Sequence, residues 1–339
     1  MKIAVIGYGY WGPNLVRNFS WLENVQVKYV CDTDEDRLAK VQSMFPNVSH
    51  TTTNYNQVLE DNEIEAVAIS TPVGTHYSLA KAALEAGKHV LVEKPMTSSV
   101  ETSRELVEIA KKKNLTLMVD HTFIYTGAVR KIKELIDSGT LGTVYYFDSV
   151  RVNLGLFQND VNVIWDLAPH DLSIMNYILK QKPVSVSAIG MSHVHKEMEN
   201  IAYMTVFYEE DLLGHFHVNW LSPIKKRHVL IGGSEKMIVY DDMENDEKIK
   251  VYDKGVNIKP GDKDALYRTL IQYRTGDMFA PKLDNIEALR MECQHFVDCV
   301  TNNTKPITDG EFGLDVVKML EASQLSIRQQ GKNIALDTL

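Results

Sequence analysis

The chain has 339 residues, enough for two domains of ordinary size. Hydrophobic residues make up 44% and charged residues 24%, the mixture of a globular protein with a large core. A net charge of −9 argues against nucleic acid or an anionic membrane as the partner, so an anionic substrate would need local basic side chains.

Residues 2–6 are an almost wholly apolar run and read as a strand buried on both faces, as in a parallel sheet. Gly7-x-Gly9-x-x-Gly12 follows, then a helix over 14–23, then a β-rich run over 25–31. That run ends in Asp32, twenty residues after Gly12. This order of strand, glycine turn, helix, strand and acid is the context of a dinucleotide-binding turn. Gly7 permits the tight turn, Gly9 lets the backbone approach a pyrophosphate, and Gly12 allows close helix–strand packing. Asp32 would accept hydrogen bonds from the adenosine ribose hydroxyls and repel a 2′-phosphate. No arginine follows it immediately, so NAD is the expected cofactor rather than NADP. Tyr8, Tyr10, Trp11 and Thr33 flank these positions and are candidates for contact with it.

The alternation continues with helices over 36–45, 55–61, 75–86 and 102–113 and strands over 66–70, 89–92 and 116–119. Such alternation implies a parallel sheet covered on both faces, with ligands beyond the carboxyl ends of its strands. Thr71, Glu93, Lys94 and His121 lie at those ends. After His121 the pattern changes. A helix over 128–138 precedes β-rich runs over 144–152, 184–191, 202–208, 213–220, 228–232, 237–241 and 248–253, with a helix around His170 inserted after the first. Helices return over 285–303 and 310–329. Consecutive strands without intervening helices suggest an antiparallel sheet. The expected architecture is α/β: a Rossmann NAD-binding domain over 1–121, and an α+β domain over 122–339 with a large, mostly antiparallel open sheet. An open sheet needs a cover, so a homodimer or homotetramer through its free face is expected. Cys31, Cys293 and Cys299 contain no C-x-x-C pair and suit a reducing cytoplasm, and no apolar run approaches the roughly 20 residues of a membrane span.

Residues 161–171 carry the second set of candidates. Asp166 and His170 are four apart, so on a helix they share a face. A histidine beside a carboxylate can move a proton near neutral pH. The alternatives are a structural histidine at a helix start and an Asp166 that only caps the helix. Pro169 is tolerable if it lies in the first turn. Trp165 is either core packing or a wall against nicotinamide or sugar. Lys225, Lys226 and Arg227 form the basic run of the second domain and could meet a pyrophosphate or be a solvated strand edge. Arg151, Asn153 and Asn162 are candidates for sugar or phosphate contact. His193, His195, His215, His217 and His228 are read as polar strand positions on a half-exposed sheet, and no metal site is expected.

Gly7-x-Gly9-x-x-Gly12, Ser70-Thr71-Pro72 with His76, Glu93-Lys94-Pro95 and Asp166-x-x-x-His170-Asp171 together resemble the glucose–fructose oxidoreductase / inositol dehydrogenase (Gfo/Idh/MocA) family. The resemblance covers nearly the whole chain. The Trp165 stretch, the segment from Asn219 to Arg227 and the presumed Tyr273–Asp277 turn resemble its nucleotide-sugar branch. Departures lie at 122–125, where many members carry an arginine and this chain reads Thr-Phe-Ile-Tyr125, and at Ala288, often proline in relatives. The resemblance implies that Lys94 touches nicotinamide ribose and substrate hydroxyl, that His170 is the acid/base with Asp166 as partner, and that Lys94–Pro95 is cis. Ser70, Thr71, Pro72, His76, Glu93 and Trp165 would line the cofactor, and Tyr125 the substrate. The expected reaction is NAD-dependent oxidation of C3 of a nucleotide sugar, UDP-N-acetylglucosamine first among them. Its rivals are an NADP-linked 3-ketosugar reductase, a dehydrogenase of another sugar or cyclitol, and a non-catalytic dinucleotide-binding regulator.

Overall fold

The structure, a computed structural model, describes residues 1–155, 161–196, 198–258 and 271–339. The chain divides into two compact units: Met1–Tyr125 with Ile286–Glu321, and Thr126–Asn285 with Ala322–Leu339. Sequence pattern alone had suggested a single break after residue 121.

In the first unit, strands β1 (Lys2–Ile6), β2 (Gln26–Cys31), β3 (His50–Thr52), β4 (Ala66–Ile69), β5 (His89–Glu93) and β6 (Leu117–Asp120) stand in the order β3-β2-β1-β4-β5-β6. All neighbouring pairs are parallel. Helices α1 (Gly12–Ser20), α2 (Glu35–Met44), α3 (Tyr55–Glu60), α4 (Val73–Glu85) and α5 (Val100–Lys113) make the crossovers. Ile3, Ala4 and Val5 and the whole of β4 are fully buried, which is why these strands show no polar alternation. β1 has β2 on one side and β4 on the other, so the strand order reverses there. Ligands of such sheets bind at that switch point.

In the second unit, helix α6 (Gly127–Asp137) leads to β7 (Val144–Leu154), and α7 (Val163–Ile178) follows. Strands β8 (Pro183–Met191), β9 (Ile201–Tyr208), β10 (Leu213–Asn219), β11 (Leu221–Gly233), β12 (Met237–Asp241), β13 (Ile249–Ile258) and β14 (Ile271–Phe279) come next. The nine-stranded sheet has the order β14-β13-β12-β11-β7-β10-β9-β8-β15, where β15 is Ile334–Ala335 near the C-terminus. Its pairs are antiparallel except β7 with β10. Phe147, Phe216, Val218, Met204, Val206, Val229 and Ile231 bury one face, and α7 packs against β7, β9 and β10.

Three local expectations change. The Tyr273–Asp277 stretch lies inside β14 and is not a turn. β11 begins at Leu221 and carries the basic run within it; Pro223 and a register shift between Leu221 and Lys226 hide it as a strand in the sequence. His193 and His195 lie past the end of β8, whereas His215, His217 and His228 do sit on β10 and β11. Among the described residues no group of three potential ligands could hold a metal, and no helix is long and apolar enough to cross a membrane.

Helices α8 (Ala288–Asn302) and α9 (Gly310–Arg328) close the chain, and 286–321 belongs to the first unit. The reason is apolar. Phe296 of α8 is fully buried edge-on to Phe19 of α1, with ring centres 6.4 Å apart. The edge strand β6 also needs partners for its backbone: Val119 N donates to Thr308 O at 2.8 Å, and Thr308 Oγ1 donates to Val119 O at 2.7 Å.

Candidate active site

The first unit builds a cradle at the carboxyl end of β1. Gly7 has φ +92°, and a Cβ there would sit 2.6 Å from Ser70 O. A Cβ on Gly12 would lie 2.2 Å from Gly7 O, so the start of α1 is pressed directly onto the turn. Gly9 differs: the nearest atom to its Cβ position is Arg37 Nη1 at 3.6 Å, which leaves its outer side open to a ligand. Helix α1 has no side-chain cap at Trp11; Pro13 has no N–H and Asn14 N donates to Trp11 O at 2.9 Å, so at this helix start the Gly12 N–H is the one left for an anion. Replacing Gly12 with alanine is expected to cost about 1–3 kcal/mol and to weaken NAD binding, because both clashing partners are backbone. Thermal melts with and without NAD check this.

Asp32 ends this cradle, almost fully buried. Its Oδ2 accepts from Tyr8 N at 2.6 Å and its Oδ1 from Asp34 N at 2.9 Å. Asp34 caps α2, and that turn brings Arg37 Nη1 to 3.6 Å from Asp32. Arg37 is the cation that a search for an arginine immediately after Asp32 passes over, because it acts from the first turn of the next helix. Tyr10 and Thr33 are exposed, while the Tyr8 side chain is buried. Trp11 Nε1 donates to Asp120 at 2.9 Å.

At β4 and β5 the loops carry the remaining motifs. Ser70 Oγ donates to Gly7 O at 3.0 Å, and Pro72 precedes α4. The buried His76 ring places Nε2 2.8 Å from Thr71 O and Nδ1 3.0 Å from Pro95 O, so one side chain ties the two loops together. Glu93 Oε2 accepts from Lys94 N at 2.9 Å, and Lys94–Pro95 is cis. Tyr125 lies in the interior of this unit, its ring 5.7 Å from His295, and burial pushes its phenol well up. That placement suits packing better than substrate contact.

The second unit presents α7. Asn162 is its N-cap: Oδ1 accepts from Ile164 N at 3.1 Å and Trp165 N at 3.2 Å, and Nδ2 donates to Glu199 Oε2 at 2.7 Å and to Gln324. The cap is therefore Asn162 and not Asp166, and Asn162 is committed to holding the helix. Asp166 sits in the first turn, where the helix dipole favours a carboxylate. Its Oδ2 accepts from the indole N–H of the buried Trp220 at 3.0 Å. His170 follows one turn later, partly exposed; Pro169 lies inside the helix rather than in its first turn. Trp220 was legible only as part of a motif, since nothing in the sequence pairs it with a carboxylate 54 residues earlier.

Arg151 is buried and holds Asp171 by two bonds, Nε to Oδ2 at 2.8 Å and Nη2 to Oδ1 at 2.7 Å. This ties β7 to α7 beneath His170 and turns Arg151 from a substrate candidate into a brace. Arg227 donates to Asp242 at 3.1 Å, and Lys225 is exposed on β11. Asn153 Oδ1 is buried with no partner among the described residues, so it keeps an unused acceptor. Trp165 is partly exposed on α7. Replacing Trp220 with phenylalanine removes the indole donor from Asp166, and kcat is expected to fall about tenfold to a hundredfold with KM little changed.

Residues 1–121 match the model of the oxidoreductase family with an NAD-binding Rossmann fold, GFO_IDH_MocA, and residues 129–239 match the GFO/IDH/MocA C-terminal domain. The chain belongs to the GFO/IDH/MocA oxidoreductase family. It is 29% identical over 215 residues to the UDP-N-acetylglucosamine 3-dehydrogenase of Acidithiobacillus ferrooxidans, covering 61% of this chain and 63% of that one. It is 26% identical over 210 residues to the myo-inositol 2-dehydrogenase of Thermotoga maritima, covering 58% and 60%. The chain thus spans less than two thirds of either curated relative. Among solved structures it resembles the same Acidithiobacillus enzyme with a TM-score of 0.78 at 22% identity, over 97% of this chain and 98% of the other. An oxidoreductase from Agrobacterium radiobacter, solved with NAD+, L-tartaric acid and magnesium, gives 0.83 at 17% identity, over 100% and 99%. NAD is the cofactor of this GFO/IDH/MocA protein, and the Gly7–Gly12 cradle and Asp32 fit it.

Proposed function

We propose that this protein oxidises the C3 hydroxyl of a nucleotide sugar, with UDP-N-acetylglucosamine the first substrate to try. The observation that carries the chemistry is Asp166, fixed by Trp220, one helical turn before a partly exposed His170. Bound NAD supplies the hydride acceptor. His170 takes the hydroxyl proton, with Asp166 one helical turn before it as its partner. Lys94, beside the cofactor loops, holds the same oxygen and stabilises developing negative charge. Asn153 Oδ1 and the basic residues Lys225 and Arg227 are the candidates for sugar and phosphate contact. The nucleotide-sugar reading is supported by likeness to a UDP-N-acetylglucosamine 3-dehydrogenase, and the cyclitol alternative by likeness to a myo-inositol 2-dehydrogenase.

The test is to mix the purified protein and NAD with a panel of free, UDP-linked and dTDP-linked sugars and inositols and to follow NADH. Turnover on UDP-N-acetylglucosamine supports the reading; turnover confined to free sugars or cyclitols replaces it. Arg37, beside Asp32, is the cation that a 2′-phosphate would have to meet, so the preference for NAD has a direct test. Replacing Asp32 with serine is expected to move the NAD over NADP ratio of kcat/KM about tenfold or more towards NADP, equal to about 1.4 kcal/mol. The outer face of the large sheet carries half-exposed Tyr203 and Leu213, and a second copy of the chain is the proposed cover. Light scattering that finds a monomer at micromolar concentration rejects that cover.

A further inference from the structure

The connection between β8 and β9 ends in two consecutive residues, Glu199 and Asn200, that reach the start of α7 by separate routes. Glu199 is half-buried and meets the helix start twice. Its backbone carbonyl accepts from Val163 N at 3.0 Å, and its Oε2 accepts from Nδ2 of the cap residue Asn162 at 2.7 Å. Gln324 of α9 closes the group, donating to Glu199 Oε1 at 3.3 Å and accepting from Asn162 Nδ2. A helix start leaves its first backbone N–H groups without intrahelical partners. Here Val163 N goes to Glu199, and Ile164 N and Trp165 N go to Asn162 Oδ1. None of these is left for a substrate phosphate. The contacts instead fix where the helix begins, and with it Asp166 in the first turn.

Asn200, fully buried, takes the other route. Its carbonyl accepts from Trp220 N at 2.9 Å, and the Trp220 carbonyl accepts from Gly155 N at 3.1 Å. A Cβ on Gly155 would lie 2.8 Å from Trp220 Cδ1, so the indole is wedged against that backbone. Its N–H then meets Asp166 Oδ2 at 3.0 Å. One dipeptide thus sets both the backbone that carries Asp166 and the indole that orients its carboxyl group. An N–H···O bond lives within roughly 2.7–3.2 Å, so a helix start displaced by about half an ångström would lose this one.

We propose that Glu199 is a positioning residue for the proton-handling pair: by tying the cap of α7 to the residue before Asn200, it keeps Asp166 in register with the Trp220 indole and His170 one turn further on. This rests on the dehydrogenase reading and deepens it.

The indole N–H signals of the four tryptophans, in protein labelled with nitrogen-15 at tryptophan, test the geometry without substrate or cofactor. Trp220→Phe identifies the signal that belongs to Trp220. Glu199→Ala is expected to move that signal upfield, as a broken hydrogen bond does. Glu199→Gln, whose oxygen still accepts from Asn162, is expected to hold it near its original position. Glu199→Asp is one methylene short of Asn162, so the same upfield shift is expected, and it serves where the alanine variant does not fold. A Trp220 signal unmoved in the alanine and aspartate variants overturns the proposal. In turnover assays, Glu199→Ala is expected to lower kcat about tenfold with KM unchanged, and Glu199→Gln to recover most of the loss. An unchanged kcat overturns the proposal as well, a raised KM then placing Glu199 against the substrate instead. A wild type without turnover rejects the dehydrogenase reading, and the tryptophan signal alone then decides whether Glu199 holds Asp166 in place.

Discussion

Turnover is expected to fall about 10²–10⁴-fold when His170 becomes alanine, with NAD still bound. The loss is that of a proton acceptor whose neighbours are already fixed. Asp166 is pinned by Trp220 at 3.0 Å and Asp171 by Arg151 at 2.7 Å, so no other group on α7 is free to take its place. Lys94→Ala is expected to lose about 10²–10³-fold, because on the proposed mechanism it removes the group that holds the substrate oxygen, and it leaves the glycine cradle intact. NADH absorbance gives kcat, and a fluorescence titration gives NAD affinity. Full activity in both variants would overturn the assigned roles.

Stability should respond most strongly at the pair beneath His170. Replacing Asp171 with alanine leaves the Arg151 guanidinium buried without its two acceptors, an expected loss of about 3–5 kcal/mol. Urea unfolding would show this as a lower midpoint. Replacing both partners by apolar residues, Arg151→Met with Asp171→Leu, should recover most of it, because no uncompensated charge remains. A double variant as weak as Asp171→Ala would mean that the ion pair itself, and not the stranded charge, carries the stability.

The first half of the site was legible because its chemistry is local. Gly7, Gly12 and Asp32 work through turn geometry and strand order, and both leave marks in the sequence. The second half was legible only as residue types. Asn162 and Arg151 look like sugar-binding side chains until their partners, Ile164, Glu199 and Asp171, are found to occupy them. Helix periodicity finds α7 but says nothing about Trp220, which reaches it from the end of a strand. β14 and the start of β11 escaped notice because polar, proline-containing and irregular strands lack the alternation that marks a strand. The membership of 286–321 rests on Phe296 meeting Phe19, a contact between residues 277 apart, and no local pattern encodes that.

That return of the chain has a consequence for biosynthesis. A ribosome that has released only the first 125 residues has made a six-stranded sheet lacking Phe296 and Thr308. Until those residues emerge, Phe19 has no ring to pack on and the β6 edge stays bare, the condition that invites chaperone binding. The cofactor-binding unit is therefore among the first parts to be synthesised and among the last to be finished. Nascent-chain proteolysis should find it protected only after residue 321 has cleared the exit tunnel.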